Sequence, residues 1–290
     1  ENIDFNVGRI TDKIKKLNLE DNTIIIYLSD NGPKAYRWNG NMKGKKGSVD
    51  EGGVRTPFYI QWTKLIPKGL ELNEIAGGID ILPTLCGLLS IPYSTEFPVD
   101  GEDLSALLLG NKFESKDRFL FNHWNGKTSV RSQKYRLDNE SRLYDITVDR
   151  AQKNDISNEN PNLVNKFLEA KRKWENETIT TTKQNDDRAF TLGYPKAIYT
   201  QLPARDGEAH GTIERSNRWP NDSFFTNWNS VNDSITWNVD VLEEGNFQVE
   251  MYYTCLSIDL GSVVELSFGD TGAFIYSGDR PKSCFAGSGF

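Results

Sequence analysis

The stretch Asn22–Phe58 reads NTIIIYLSDNGPKAYRWNGNMKGKKGSVDEGGVRTPF. It opens on Thr23-Ile24-Ile25-Ile26-Tyr27-Leu28, a β-branched and aromatic run without charge. Such a run predicts a strand buried on both faces of a parallel sheet. It stops at Ser29-Asp30-Asn31-Gly32, where apolar core passes into polar loop. In open α/β sheets ligands gather outside the carboxyl ends of strands. Asp30 and Asn31 make an oxygen-donor pair there, suited to a hard cation such as Ca²⁺. Lys43, Lys45 and Lys46 then alternate with glycines and are followed by Glu51-Gly52-Gly53-Val54-Arg55. One segment thus offers metal ligands and a flexible basic loop for an anion.

Taken singly, each motif has a plain reading. Asp-Asn-Gly after a strand is commonly a turn, because Asp and Asn bond their own backbone and Gly accepts positive φ. A lysine cluster in a Gly-rich loop is commonly a solvated face. The loop is not a P-loop, since Gly40 to Gly44 is too short and no Lys-Ser/Thr pair follows. It is the two motifs together, in this order and spacing, that carry the signal.

The sequence of 290 residues carries a net charge of −7, which gives no support to nucleic-acid or anionic-membrane binding. A basic loop within an acidic chain instead suits a small anion. No apolar run is long enough to span a bilayer. The three cysteines, Cys86, Cys255 and Cys284, show no CxxC pairing. A Cys255–Cys284 bridge is compatible with the count but not required by it. Two histidines, His123 and His210, are too few for a His-rich zinc site.

The strand ending in Ser29-Asp30-Asn31-Gly32, followed by Lys46-Gly47-Ser48-Val49-Asp50-Glu51-Gly52-Gly53-Val54-Arg55-Thr56-Pro57, resembles the sulfatase family of the alkaline phosphatase-like superfamily. The resemblance runs over roughly residues 1–177. It implies that Asp30 and Asn31 ligate an active-site calcium and that Lys46 contacts the sulfate ester as a catalytic and substrate-binding residue. It also implies that a residue of the strand holding His123 reaches toward the substrate, and His123 and Arg131, on two later strands, are both candidate substrate-binding residues. For both, the alternative is structural: His123 stacked beside Trp124, Arg131 paired with a nearby carboxylate. A periplasmic or secreted location follows from the same resemblance.

The rest of the chain extends this reading. Ile3, Val7, Ile10, Ile14 and Leu17 recur at helical spacing, with Gly8 expected to pack closely on the sheet. Pro57–Trp62 predicts a strand, and Ile79–Leu89 an apolar helix with Asp80 as N-cap. Strands are predicted at Phe119–Trp124, Ser129–Arg131, Lys134–Leu137 and Leu143–Ile146, followed by a helix over Pro161–Glu175. The expected fold class is α/β: part of an alkaline phosphatase-like sheet over 1–115, a small antiparallel α+β subdomain over 116–177, and a β-sandwich-like accessory domain over 178–290. Within the last, Ile235–Val239, Gly245–Tyr253 and Val263–Phe268 read as strands, weakly resembling carbohydrate-binding modules. Trp219, Trp228 and Trp237 are candidates to stack on sugar rings, with core packing as the alternative. Four Asn-x-Ser/Thr sequons, at Asn139, Asn176, Asn221 and Asn232, carry no inference in so Asn-rich a chain.

Sulfatases use a formylglycine made from Cys or Ser in Cys/Ser-x-Pro/Ala-x-Arg, and none of the three cysteines has that context. The nearest string, Gln201-Leu202-Pro203-Ala204-Arg205, begins with an amide that is no nucleophile. Two further acidic calcium ligands expected before the first helix are also absent. The resemblance therefore implies that the preceding half of the catalytic domain lies outside these residues. A sulfated carbohydrate is the expected partner. Two alternatives stand beside it: a phosphodiesterase or phosphonate hydrolase of the same fold, against which Asn31 rather than His argues, and a carbohydrate-binding module on an inactive remnant.

Overall fold

Apolar spacing at the N-terminus forms helix α1 (Asn2–Lys16), with Lys13, Lys15 and Lys16 at its last turn, where cations favour the helix dipole. The computed structural model describes residues 2–36, 38–114, 117–180, 188–218, 223–268, 271–276 and 284–285. The chain divides into two units, 1–183 and 184–290. Contrary to the close packing expected at Gly8, a Cβ built there would meet no atom within 4 Å beyond its chain neighbours and its own helix backbone. The apolar stripe of α1 stays open, with Ile3 62% and Ile10 59% exposed.

Strand β1 (Ile25–Leu28) is followed by a loop holding one helical turn, α2 (Glu51–Val54), and then by β2 (Phe58–Gln61). The parallel sheet expected around β1 is not found among the described residues. β1 pairs antiparallel with β2, in the register Ile25↔Gln61 to Leu28↔Phe58. The reason lies in the connection: the loop leaves the carboxyl end of β1 and re-enters at that same end, whereas a parallel neighbour needs a crossover to the opposite end. Ile25, Ile26 and Tyr27 are half-buried rather than enclosed on both faces.

Helix α3 (Ile81–Leu89) ends on Ser90 in the left-handed conformation, and α4 (Ser105–Leu108) follows. Asp80 stands at the N-cap position of α3, but its side chain makes no capping hydrogen bond to that helix. Its buried carboxylate instead accepts the Gly77 and Glu102 amides, each at 2.8 Å, and both oxygens meet Arg118 Nη2 at 2.8 Å. Three separate segments are thereby pinned to one charge.

The strands predicted between Phe119 and Ile146 form as an antiparallel meander of β3 (Leu120–Trp124), β4 (Lys127–Arg131), β5 (Tyr135–Leu137) and β6 (Leu143–Asp145), hydrogen-bonded in that order. Asn125 and Gly126, both at positive φ, make the tight turn between β3 and β4. Helix α5 (Pro161–Trp174) begins with proline, whose missing N–H costs nothing at a first turn. Its Phe167 enters a core with Val130, Leu137 and Leu143. The Phe119 ring meets Phe167 edge-on at 4.7 Å, and Phe121 stacks on Trp174 at 5.0 Å.

In the second unit the described residues form paired strands, and no sandwich of sheets is found among them. β7 (Phe190–Leu192) runs parallel to β12 (Val239–Val241), β8 (Glu208–His210) antiparallel to β11 (Ser234–Thr236), and β9 (Glu214–Arg215) antiparallel to β10 (Phe225–Thr226). β13 (Gln248–Val249) pairs with β16 (Cys284–Phe285), and β14 (Val263–Phe268) with β15 (Thr271–Tyr276). Most of these strands have only two or three residues, too short for continuous sheets, and Tyr252 and Tyr253 lie outside any strand. Polar turns hold the unit instead. Asp233 accepts the amides of Thr212, Asn229 and Ser230 at 2.6, 2.9 and 2.8 Å, bonds that hold its carboxyl down to about 2. Trp237 donates to the Pro203 carbonyl at 3.1 Å and lies over Gly207, so it packs inside the unit, while Trp228 is exposed. Trp219 and the Cys284 side chain lie outside the described residues.

Phe167→Ala should lower unfolding free energy by about 3–5 kcal/mol, since it opens a ring-sized cavity in the best-packed part of the chain. Urea denaturation followed by Trp fluorescence measures it; a loss under about 1 kcal/mol would show that this core does not stabilise the fold.

Candidate functional site

The site grows from the loop between β1 and β2. Ser29 hydroxyl turns back to the Asn31 carbonyl at 3.1 Å and tightens the bend that presents Asp30. Gly32 then donates its N–H to the Gly53 carbonyl at 2.9 Å, joining the acidic motif to the Glu51-Gly52-Gly53 turn. A Cβ at Gly32 would overlap the Gly52 carbonyl, and one at Gly53 the Ser48 carbonyl. The glycines are therefore needed for close backbone approach rather than for looseness. The Lys46 amide donates to the Pro33 carbonyl at 3.0 Å, and the Gly52 amide to the Lys43 carbonyl at 2.7 Å.

This folding brings Asp30 and Lys46, sixteen residues apart, into an ion pair with Nζ 2.7 Å from Oδ2. The hydrogen bond from Lys46 holds the Asp30 carboxyl below its ordinary value. Both side chains are largely open to solvent, at 45% for Lys46 and 72% for Asp30, so both are accessible to an incoming ion or ester. The donors offered here are a carboxylate and a carboxamide, with no imidazole or thiolate, which fits an oxygen-preferring cation. Their number falls short of the six to eight oxygens calcium takes. Among the described residues no group of three or more His, Cys, Asp or Glu converges on one point.

The other two expected site residues lie on the antiparallel subdomain. His123, on β3, is exposed; its Nδ1 lies 2.8 Å from Thr128 Oγ1 and its ring sits 6.4 Å from Trp174. Arg131, on β4, turns inward. Its Nε lies 3.5 Å from Glu51 Oε2, and burial draws its guanidinium down to about 10. It thus pairs with that buried carboxylate, while its buried Nη1 has no hydrogen-bond partner among the described residues.

Glu51 and Arg136 were not singled out by sequence, yet they anchor the loop. Arg136, on β5, is fully buried and places Nε and Nη2 each 3.0 Å from Glu51 Oε2. Its Nη1 donates to the Val49 carbonyl at 2.9 Å and to Ser129 Oγ at 2.8 Å, while Ser129 donates to the same carbonyl at 2.6 Å. The Glu51 amide donates to Gln152 Oε1 at 3.0 Å, and Lys43 pairs with Asp50 at 3.3 Å and with buried Asp138 at 3.6 Å. Burial pushes the Glu51 carboxyl up, but the guanidiniums of Arg136, Arg131 and Arg55 outweigh it and leave it below its ordinary value. In the sequence, Arg136 shows only as a polar residue between Tyr135 and Leu137, the pattern of a solvent-facing strand position.

Comparison with known proteins puts this geometry in context. Residues 1–91 match the family model described as Sulfatase. The steryl-sulfatase of Rattus norvegicus is 34% identical over 140 residues, covering 45% of this chain and 24% of the relative. The N-acetylgalactosamine-6-O-sulfatase of Bacteroides thetaiotaomicron is 26% identical over 200 residues, covering 58% and 39%. A crystal structure of Ps i-CgsB in complex with k-i-k-neocarrahexaose superposes with a TM-score of 0.53 at 27% identity, covering 59% of this chain and 40% of that one. The chain thus spans about a quarter to two fifths of the length of these relatives.

Glu51→Gln should cost about 3–5 kcal/mol, because it leaves buried guanidiniums facing a neutral amide. The folded pKa of Glu51 lies below its ordinary 4.5. The stability it contributes is therefore fully present above that value and is lost as pH falls through the folded pKa. Urea midpoints compared from pH 7 down to pH 3 check both; a variant as stable and as acid-sensitive as the parent would disprove them.

Proposed function

We propose, on the premise that residues 1–91 belong to the sulfatase family, that this chain is the C-terminal part of a calcium-dependent sulfatase that hydrolyses sulfate esters of a carbohydrate. The observation that carries the proposal is the meeting of Asp30 and Lys46 at 2.7 Å on an exposed loop held by both sulfatase-like motifs. In this reading Lys46 contacts the ester and stabilises charge developing on the sulfate oxygens, as a positioned cation does. Asp30 and Asn31 would hold calcium, which supplies Lewis-acid stabilisation of the same oxygens when bound. The rest of its coordination shell, and the formylglycine nucleophile, belong to sequence outside these residues.

His123 is exposed on the adjoining subdomain, which suits a hydrogen bond to a sugar hydroxyl or ester oxygen. A carbohydrate ester as substrate is supported by the relative named for N-acetylgalactosamine-6-O-sulfatase activity and by the neocarrahexaose held in Ps i-CgsB. A periplasmic or secreted location belongs to the same reading, supported by the likeness to the bacterial N-acetylgalactosamine-6-O-sulfatase.

The test is sulfate release, read by ion chromatography, from a panel of sulfated polysaccharides incubated with the full-length polypeptide. The expected result is calcium-dependent release that Lys46→Ala lowers by about 10²–10³-fold, the loss typical when one positioned charge-stabilising donor is removed. Unchanged turnover in that variant would overturn the role of Lys46. Residues 1–290 alone should release no sulfate, and measurable hydrolysis by them would refute the placement of the nucleophile elsewhere.

A further inference from the structure

The geometry points to Arg136 as a positioning residue for Lys46, acting through the buried turn at Val49–Glu51 and touching neither substrate nor metal. The inference rests on the sulfatase reading for what Lys46 does, but the positioning itself is a property of the fold. Among its described residues the loop from Asp30 to Arg55 contains one short helical turn and no strand, so little regular backbone bonding sets where Lys46 points. What holds the loop is a chain of specific bonds that starts at Arg136. Its guanidinium grips the Val49 carbonyl and the Glu51 carboxylate together, which flank Asp50. With those two points fixed, the Gly53 carbonyl receives the Gly32 amide at 2.9 Å, and the Gly52 amide reaches the Lys43 carbonyl at 2.7 Å. The backbone of Lys46, three residues before Val49, is tied at 3.0 Å to Pro33, beside the Asp30–Asn31 bend.

Three features set this apart from a pair that serves only stability. A buried ion pair contributes little net stability relative to apolar residues of similar size, so its fork geometry is the property it uniquely supplies. Arg136 offers that geometry in full: Nε and Nη2 to one carboxylate oxygen, and Nη1 to a backbone carbonyl and to Ser129. Lysine, with one rotatable ammonium, cannot hold both partners in fixed orientation. The residues it orders are also remote from it in sequence, since Glu51 and Arg136 are 85 positions apart. The antiparallel subdomain thus acts as a mould for the candidate site on the loop.

Amide hydrogen exchange by NMR, with a titration of inorganic sulfate, tests this on the 290-residue chain. Arg136→Lys keeps the charge but not the fork, and Phe167→Leu weakens the same unit through its core. The expected result is a rise of about tenfold in exchange at Gly32, Lys46 and Gly52 relative to Val130 in Arg136→Lys, with a matching loss of sulfate affinity. In Phe167→Leu the four amides should rise together, as for global destabilisation. Should Arg136→Lys fail to fold, Ser129→Ala removes one arm of the same anchor and should give a smaller change in the same amides. Equal rises at Val130 and Lys46 in the anchor variants would overturn the positioning role. Failure of the unsubstituted chain to bind sulfate would overturn the anion-contact reading of Lys46, with the exchange pattern still deciding the positioning.

Discussion

The buried meeting of Glu51 with Arg136 is the constraint on which the site depends. Placing a carboxylate and a guanidinium away from water is costly unless every charge finds a partner. Here the cost is met by geometry: Arg136 satisfies Glu51, Val49 and Ser129, and Glu51 also receives Arg55 and Arg131. One carboxylate faces several guanidiniums, which is why its proton affinity falls despite burial. Because fork bonds are directional, the arrangement admits few alternative settings of the turn between Val49 and Gly53.

From that anchor outward the polarity of the site inverts. The anchoring charges are buried, whereas Asp30 and Lys46 stand in solvent. A surface ion pair of this kind contributes little to stability. Its value is chemical: a carboxylate and an ammonium are both available, at a place set by bonds that are themselves protected from water. Glycine at positions 32 and 53 permits the backbone contact that links the two layers.

The differences between expectation and fold have one common cause. Composition reports which side chains prefer burial, not which partner covers them. The β1 run is as apolar as an enclosed strand, yet it pairs with one antiparallel neighbour and is only half-covered. The α1 stripe has helical spacing and forms a helix, but its face stays open. In the second unit, alternation placed Val263–Phe268 correctly, whereas Ile235–Val239 falls across two strands and Gly245–Tyr253 keeps only Gln248–Val249 as strand, and the described strands join in pairs only. Trp237 illustrates the same limit: an aromatic on a polar strand suits a sugar platform or a packing role, and only its contact with Gly207 and Pro203 distinguishes them.

By itself the sequence determined the helices α1, α3 and α5, the four strands of the antiparallel meander, the Asp30–Asn31 bend and the basic loop at Lys46, because each depends on local periodicity, turn chemistry or a contiguous motif. It also shows that no nucleophile motif of the expected kind lies within these 290 residues. Only the tertiary structure decided that Asp30 and Lys46 touch, that Arg131 serves Glu51 rather than facing outward, and that Arg136 holds the turn. Those facts depend on pairings between residues separated by sixteen to 87 positions. Directional bonds across such separations exist only once packing has brought the groups within about 3 Å, and no local pattern encodes them.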